Sequence, residues 1–250
     1  MTQTRKADIA RRFSKAAGRY IELANIQDKL ASHALNMVSE NKGRSLDIGC
    51  GTGQHSEKLG EFTIGLDLAL GMLIEAKTTH SDARSWVNGD MDALPFANDC
   101  FETVFSSMAV QWTDSPNLVL NEIGRVLTSG GMATILVPVK GTFSQLRQAY
   151  ERAKISARLN DLLCESVWLS AAQNAGLKLL NSQIIIESDS FNNLRALLGS
   201  ISKIGAASSE YADHKALNRA ALNVLAKSYQ LNEQGQYCLD YRCLLIQVEK

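Results

Sequence analysis

The sequence predicts an α/β fold, a doubly wound and mostly parallel seven-stranded sheet with helices on both faces. Three observations predict it. Short apolar or β-branched segments alternate with helix-period segments up to Val137. The first of these strand-like segments runs straight into three glycines at alternate positions, Gly49, Gly51 and Gly53. Met132 to Val137 is apolar throughout, as a central strand covered on both faces would be. The length of 250 residues, 45% of them hydrophobic, suits one α/β domain with a sizeable core.

The elements follow in order. From about residue 7 to 40, Ile9, Phe13, Ala16, Tyr20, Ala24, Gln27, Ala31 and Leu35 recur at spacings of three or four. That spacing draws one stripe on a helix, with Gly18 as a candidate break. Ser45 to Ile48 reads as a strand, and a helix is expected after the glycine turn. Thr63 to Leu66 is a second strand ending at Asp67, followed by a helix from about Leu70 to Thr78. Ser85 to Val87 is a third, with Asn88-Gly89-Asp90 at its end, and Phe101 to Ser106 a fourth. A helix from about Ser115 to Leu127 is expected to stop at Gly130-Gly131, ahead of the fifth strand. Gln183 to Glu187 and Cys238 to Val248 complete the seven. One domain spans 1–250, with an N-terminal helical segment at 1–40 and a core at 41–139. Helical cap regions cover 140–170 and 191–230, and the remaining sheet 171–190 and 236–250.

Composition removes several function classes. The formal net charge is +0, so nothing global attracts nucleic acid or an anionic membrane. The five cysteines contain no CxxC pair, which argues against a disulfide framework and for a reduced, cytoplasmic setting. Cys238 and Cys243 lack a neighbouring Cys or His to complete a metal set, so no metal is expected. The opening MTQTRKADIARRF has no apolar core of a signal peptide, and no run approaches the roughly 20 apolar residues of a membrane span.

Three strand ends carry the candidate chemistry. In LDIGCGTG, Leu46 to Gly53, glycine permits positive φ and lets a ligand approach the backbone. The spacing is GxGxG rather than GxGxxG, which disfavours a dinucleotide and a nicotinamide dehydrogenase. Asp67 ends the second strand sixteen residues after Gly51, close to where an acid meets ribose hydroxyls in nucleoside-binding sheets. The structural alternative is an exposed acid capping the next helix. Asp90, in Gly89-Asp90-Met91, can accept the exocyclic amine of adenine with Met91 against the ring; the alternative is a turn aspartate.

Taken in order, LDIGCGTG, GLD and GDMDALPF resemble the class I S-adenosylmethionine-dependent methyltransferases over about residues 40 to 140. The resemblance implies a Rossmann-like core that binds S-adenosyl-L-methionine and releases S-adenosyl-L-homocysteine. It implies that Asp47, Gly49, Cys50, Gly51 and Gly53 cradle the methionine part, Asp67 the ribose, and Asp90 with Met91 the adenine. Leu68 and Met72 would pack nearby, and Ser106 and Met108 would line the methyl-donating end.

Four further segments narrow the resemblance: RRFSKAAGRYIELANIQDKLA, SSMAVQW, KGTFSQLRQAY and SISKIGA. With the closing CLDYRCLLIQVEK they are similar to the malonyl-acyl-carrier-protein O-methyltransferases of biotin synthesis, over nearly the whole chain. The implied partner is acyl carrier protein bearing a malonyl group. The implied reaction is displacement at the sulfonium methyl by the free malonyl carboxylate. That carboxylate is ionised at pH 7 and needs no general base, so alignment and closure are the enzyme's work. Tyr20, Gln111 and Trp112 are the candidates for aligning the acceptor, with Gln27 behind them. Tyr20 lies on the stripe of an N-terminal helix that could cross the cofactor as a lid, and core packing is its alternative, as for Trp112.

An acidic carrier calls for a basic surface. Arg5, Lys6, Arg11, Arg12, Lys15 and Arg19 stand against Asp8 alone; Lys140, Arg147, Arg152, Lys154 and Arg158 stand against Glu151 alone. Both stretches are candidate docking contacts, as is Lys203, and two solvated helix faces are the alternative. Other readings remain: a methyltransferase acting on a quinone ring or a free carboxylic acid, and a non-catalytic module that binds the cofactor.

Overall fold

Strands β1 (Ser45–Ile48), β2 (Thr63–Asp67), β3 (Ser85–Asn88), β4 (Phe101–Ser107), β5 (Leu127–Pro138), β6 (Lys178–Phe191) and β7 (Tyr237–Glu249) form one sheet in the order β3-β2-β1-β4-β5-β7-β6. The computed structural model describes residues 3–20, 24–38, 43–80, 85–157, 159–203 and 217–250. Strands β1 to β5 pair in parallel; β7 runs antiparallel to both β5 and β6. The chain order reverses between β1 and β4, and a crevice opens at the carboxyl ends of strands at such a switch point.

The helices are α1 (Gln3–Ala16), α2 (Asn25–Leu35), α3 (Leu70–Thr79), α4 (Pro116–Val126), α5 (Ser144–Ala153), α6 (Glu165–Asn174), α7 (Leu194–Lys203) and α8 (Arg219–Ser228). The break in the N-terminal stripe is a 3-10 turn, Ala17–Arg19, at the expected Gly18. Helix α4 shows why the layers form. Pro116 sits in its first turn, where a missing N–H costs nothing. Val119, Leu120, Ile123 and Val126 then bury one face completely, each contributing roughly 1.5–3 kcal/mol. They share a core with Trp168 of α6 and with β1, β4 and β5. The opposite face packs α2, α5, α7 and α8 around Leu30, Leu146, Leu197 and Leu225.

Several boundaries differ from the sequence expectation. The glycine turn is followed by a four-residue 3-10 turn, Ser56–Leu59, and not by an α-helix. Asp47 and the carbonyls around it pin that segment: Ser56 Oγ donates to Asp47 Oδ2 at 2.6 Å, and Ser45 Oγ donates to the Leu59 carbonyl at 2.9 Å. Helix α4 ends at Val126, ahead of Gly130-Gly131. Strand β5 begins at once, because Leu127 pairs with Phe101 and the register then jumps so that Thr103 meets Met132. The two glycines thus lie in a bulge inside the strand rather than at a helix stop. Strand β6 extends well beyond Gln183–Glu187. Within the expected cap at 140–170, α6 begins at Glu165 and packs on α4, so the last residues of that range join the helical layer of the sheet.

Candidate active site

The carboxyl ends of β1, β2, β3 and β4 open into one cavity, and α1 lies across it. At the end of β1, Gly49 adopts φ +72°, and an added Cβ would stand 2.2 Å from the Ala109 Cβ. Only glycine fits there, which leaves the backbone itself as cavity wall. Asp67, at the end of β2, braces this loop. Its Oδ2 accepts the Gly51 N–H at 2.9 Å and its Oδ1 the Ala69 N–H at 2.7 Å. Burial raises its pKa, and the N–H bonds from Ala69 and Gly51 oppose that rise. Leu68 and Met72 line the cavity beside it.

At the end of β3, Asp90 and Met91 reach the wall. Asp90 Oδ1 accepts the Asp92 N–H at 3.0 Å, and Asp90 Oδ2 accepts Lys6 Nζ at 2.7 Å. At the end of β4, Met108 takes φ +55°, an uncommon conformation for a methionine, which turns the chain beneath the cavity. Ser107, Met108, Ala109 and Trp112 line this end. The Ser107 hydroxyl is buried with no protein partner.

Helix α1 contributes Lys6, Ile9 and Phe13, and Tyr20 follows just beyond it. Phe13 meets Trp112 edge to face at 5.7 Å. The helix seats closely on α3: the Gly71 N–H donates to Ser14 Oγ at 3.1 Å, and a Cβ on Gly71 would collide with Ser14 backbone at 2.7 Å. Burial, and then the Asp67 charge, push the Tyr20 phenol up to about 12, so it is protonated at neutral pH.

The remaining expected residues lie elsewhere. Ser106 is fully buried and its hydroxyl donates to the Ile48 carbonyl inside the sheet, so Ser107 takes the place expected of it. Asp47 and Cys50 are buried, and neither they nor Gly53 line the cavity. Burial pushes Asp47 up to about 7 against the Ser56 hydrogen bond. Gln111 turns away from the wall and donates to the Met108 carbonyl at 2.7 Å. Gln27 is buried in hydrogen-bonding contact with the Tyr241 phenol.

The basic stretches are also partly spent. Lys6 points into the cavity and forms ion pairs with Asp90, Asp92 and Asp114, so it adds nothing to a basic outer face. Burial works against its charge, but the hydrogen bonds to those three carboxylates outweigh it and raise its pKa. Arg147 donates to the Asn160 carbonyl and pairs with Asp161 at 3.4 Å, and Arg152 reaches Gln148 at 3.1 Å. Lys140 is exposed. Arg158 and the Lys203 side chain lie outside the described residues. Sequence reasoning missed Lys6 and Ser107 as cavity residues. Lys6 stands three residues before Ile9 and so extends the same stripe, which was the available signal.

Glycine backbone, two acids at neighbouring strand ends, an apolar flank of Leu68, Met72 and Met91, and an unsatisfied hydroxyl suit a ligand with an adenine, a ribose and a charged amino-acid tail. A methyltransferase domain family model matches residues 46–135. The malonyl-[acyl-carrier protein] O-methyltransferase of Pectobacterium atrosepticum is 34% identical over 95% of this chain and 94% of its own length. The chain belongs to the malonyl-[acyl-carrier protein] O-methyltransferase family. A further member from Hamiltonella defensa is 31% identical, over 95% of this chain and 92% of its own length. Among solved structures, the YcgJ protein of Bacillus subtilis superposes with a TM-score of 0.62 at 17% identity, over 88% of this chain and 97% of that one, a likeness of fold. As a member of this family the protein is a methyltransferase that depends on S-adenosyl-L-methionine. Among the described residues no group of three or more His, Cys, Asp or Glu could hold a metal ion, and no helix is long and apolar enough to cross a membrane.

Proposed function

We propose that this protein methylates the free carboxylate of a malonyl group carried on acyl carrier protein, giving the malonyl methyl ester that starts pimeloyl and biotin synthesis in the cytosol. The observation that carries this is the likeness to the Pectobacterium enzyme, which extends past the donor-binding core into the acceptor-side segments. When bound, S-adenosyl-L-methionine supplies an electrophilic methyl group, which the carboxylate takes by in-line displacement.

The chain's own residues supply position. Asp67 accepts the ribose hydroxyls while it holds the glycine loop. Asp90 accepts the adenine amine with Met91 against the ring. Gly49 and Gly51 offer backbone to the methionine tail. The titratable residues among the described cavity walls are Lys6, Tyr20, Asp67 and Asp90. Both acids already accept backbone N–H bonds, so neither is a free base at the β4 end. An ionised carboxylate acceptor requires none. Tyr20, still protonated, donates to that carboxylate; Trp112 confines it; Gln111 fixes the turn that carries Met108. Lys140, Arg147 and Arg152, with the outer cations of α1, steer the acidic carrier to the entrance.

A methyl-transfer assay with labelled S-adenosyl-L-methionine tests this. Malonyl-carrier protein, malonyl-coenzyme A and acetyl-carrier protein are compared. Label on the malonyl carrier and not on the acetyl carrier is expected. Equal labelling of both, or label on neither while S-adenosyl-L-homocysteine still binds, would transfer the proposal to a different acceptor.

A further inference from the structure

Three carboxylates from two separate loops converge on the Lys6 ammonium. Lys6 Nζ lies 2.7 Å from Asp90 Oδ2, 2.6 Å from Asp92 Oδ2 and 3.1 Å from Asp114 Oδ2. The lysine is well covered, with 16% of its side chain exposed, and Asp92 is covered further. Asp92 is also the joint between the loops: it accepts the Asp114 N–H at 2.8 Å and the Thr113 hydroxyl. Lys6 therefore ties helix α1 both to the strand end that carries Asp90 and to the segment that follows Trp112. Two turns further along α1, Phe13 meets Trp112 and Ser14 seats on Gly71.

We propose that Lys6 is a positioning residue for methyl transfer: it latches α1 over the donor cavity and sets the orientation of Asp90, so that donor retention depends on its charge. The proposal rests on the reading that Asp90 meets the adenine. Its physical basis is local. Without the ammonium, Asp90 and Asp92 lose the cation they share, and their mutual repulsion loosens the strand end from α1. Charge-assisted bonds of this length are among the stronger ones available to a side chain. Lifting α1 off a donor held beneath it breaks all three bonds. The neutral adenine amine can still share Asp90, because each carboxylate oxygen has a second lone pair.

The test compares the intact protein with Lys6→Met and Lys6→Arg. S-adenosyl-L-homocysteine affinity is measured by calorimetry and its release rate by stopped-flow chase. Lys6→Met should weaken binding and speed release by about tenfold, inside the roughly 5–150-fold range of ordinary coupling between sites. Lys6→Arg, which keeps a cation able to bridge carboxylates, should stay within about threefold of the parent. The loss should appear in KM for the donor rather than in kcat. A general packing role would penalise both variants alike and would not spare the arginine. If Lys6→Met does not fold, Lys6→Gln, which can satisfy only part of the cluster, is read in the same way. Parental affinity and release in Lys6→Met, or an arginine variant as defective as the methionine one, overturns the latch while leaving the donor site in place. Failure of the parent itself to bind S-adenosyl-L-homocysteine overturns the donor reading and the latch together.

Discussion

Residues before and after Trp112 share one sheet yet build different things. Every described wall residue of the cavity proposed to hold the donor lies between Lys6 and Trp112. The chain beyond supplies β5, the antiparallel β7 and β6, and helices that fill the core on both faces. In the parallel half, each strand delivers its carboxyl end to the same edge, so short loops from four strands converge on one cavity. The second half contributes cover and the cations of α5 proposed to meet the carrier protein. Donor binding and carrier docking should therefore be separable by mutation.

The largest effect is expected at the glycine floor. Gly49→Ala places a Cβ against Ala109 at a positive φ, and should cost about 3 kcal/mol, or roughly 100-fold, in S-adenosyl-L-homocysteine affinity. Calorimetry checks it, and parental affinity would break the assignment of this loop. Asp67→Ala removes an acceptor of two N–H bonds as well as the proposed ribose contact. A loss of about 10–100-fold in the same assay is expected.

Asp47 separates the floor's stability from its chemistry. Its folded pKa of about 7 stands above the unfolded value of roughly 4. Between those limits the folded state holds a proton that the unfolded chain has released, so stability falls as pH rises from about 4 to 7 and is level above. Asp47→Asn, which stays neutral, should match the parent near pH 4 and be the more stable of the two at pH 8. Denaturant melts of the unliganded protein at the two pH values decide this.

The same sheet, read from the sequence, was legible where residue chemistry and strand ends coincide. Gly49, Asp67 and Asp90 are unusual types at the ends of apolar runs, and all three reach the cavity. Ser106 failed for a reason of period: successive strand residues face opposite sides, so a shift of one sends the hydroxyl into the sheet and brings Ser107 to the cavity. In the sequence Lys6 belongs to a charged surface, since its carboxylate partners stand 84 and more residues away. The helix expected after the glycine loop gave way to local side-chain bonds from Asp47 and Ser45, which no periodicity reveals.

On the far side of the comparison, Arg147→Glu with Arg152→Glu should raise KM for the carrier-bound substrate by about three- to tenfold. Donor affinity should not move. An unchanged KM, with unchanged salt dependence, removes α5 from the docking surface. The smallest effect belongs to the outer strand. Ile186, 61% exposed on β6, should accept lysine within about 0.5 kcal/mol and with parental kinetics.

The central claim is tested most directly by following a methyl-labelled donor into malonyl-carrier protein by nuclear magnetic resonance. Oxygen methylation predicts a methoxyl signal on the malonyl group and loss of its free acid. A carbon-bound methyl on the acyl chain, or a malonyl carboxylate still free after donor turnover, would contradict it.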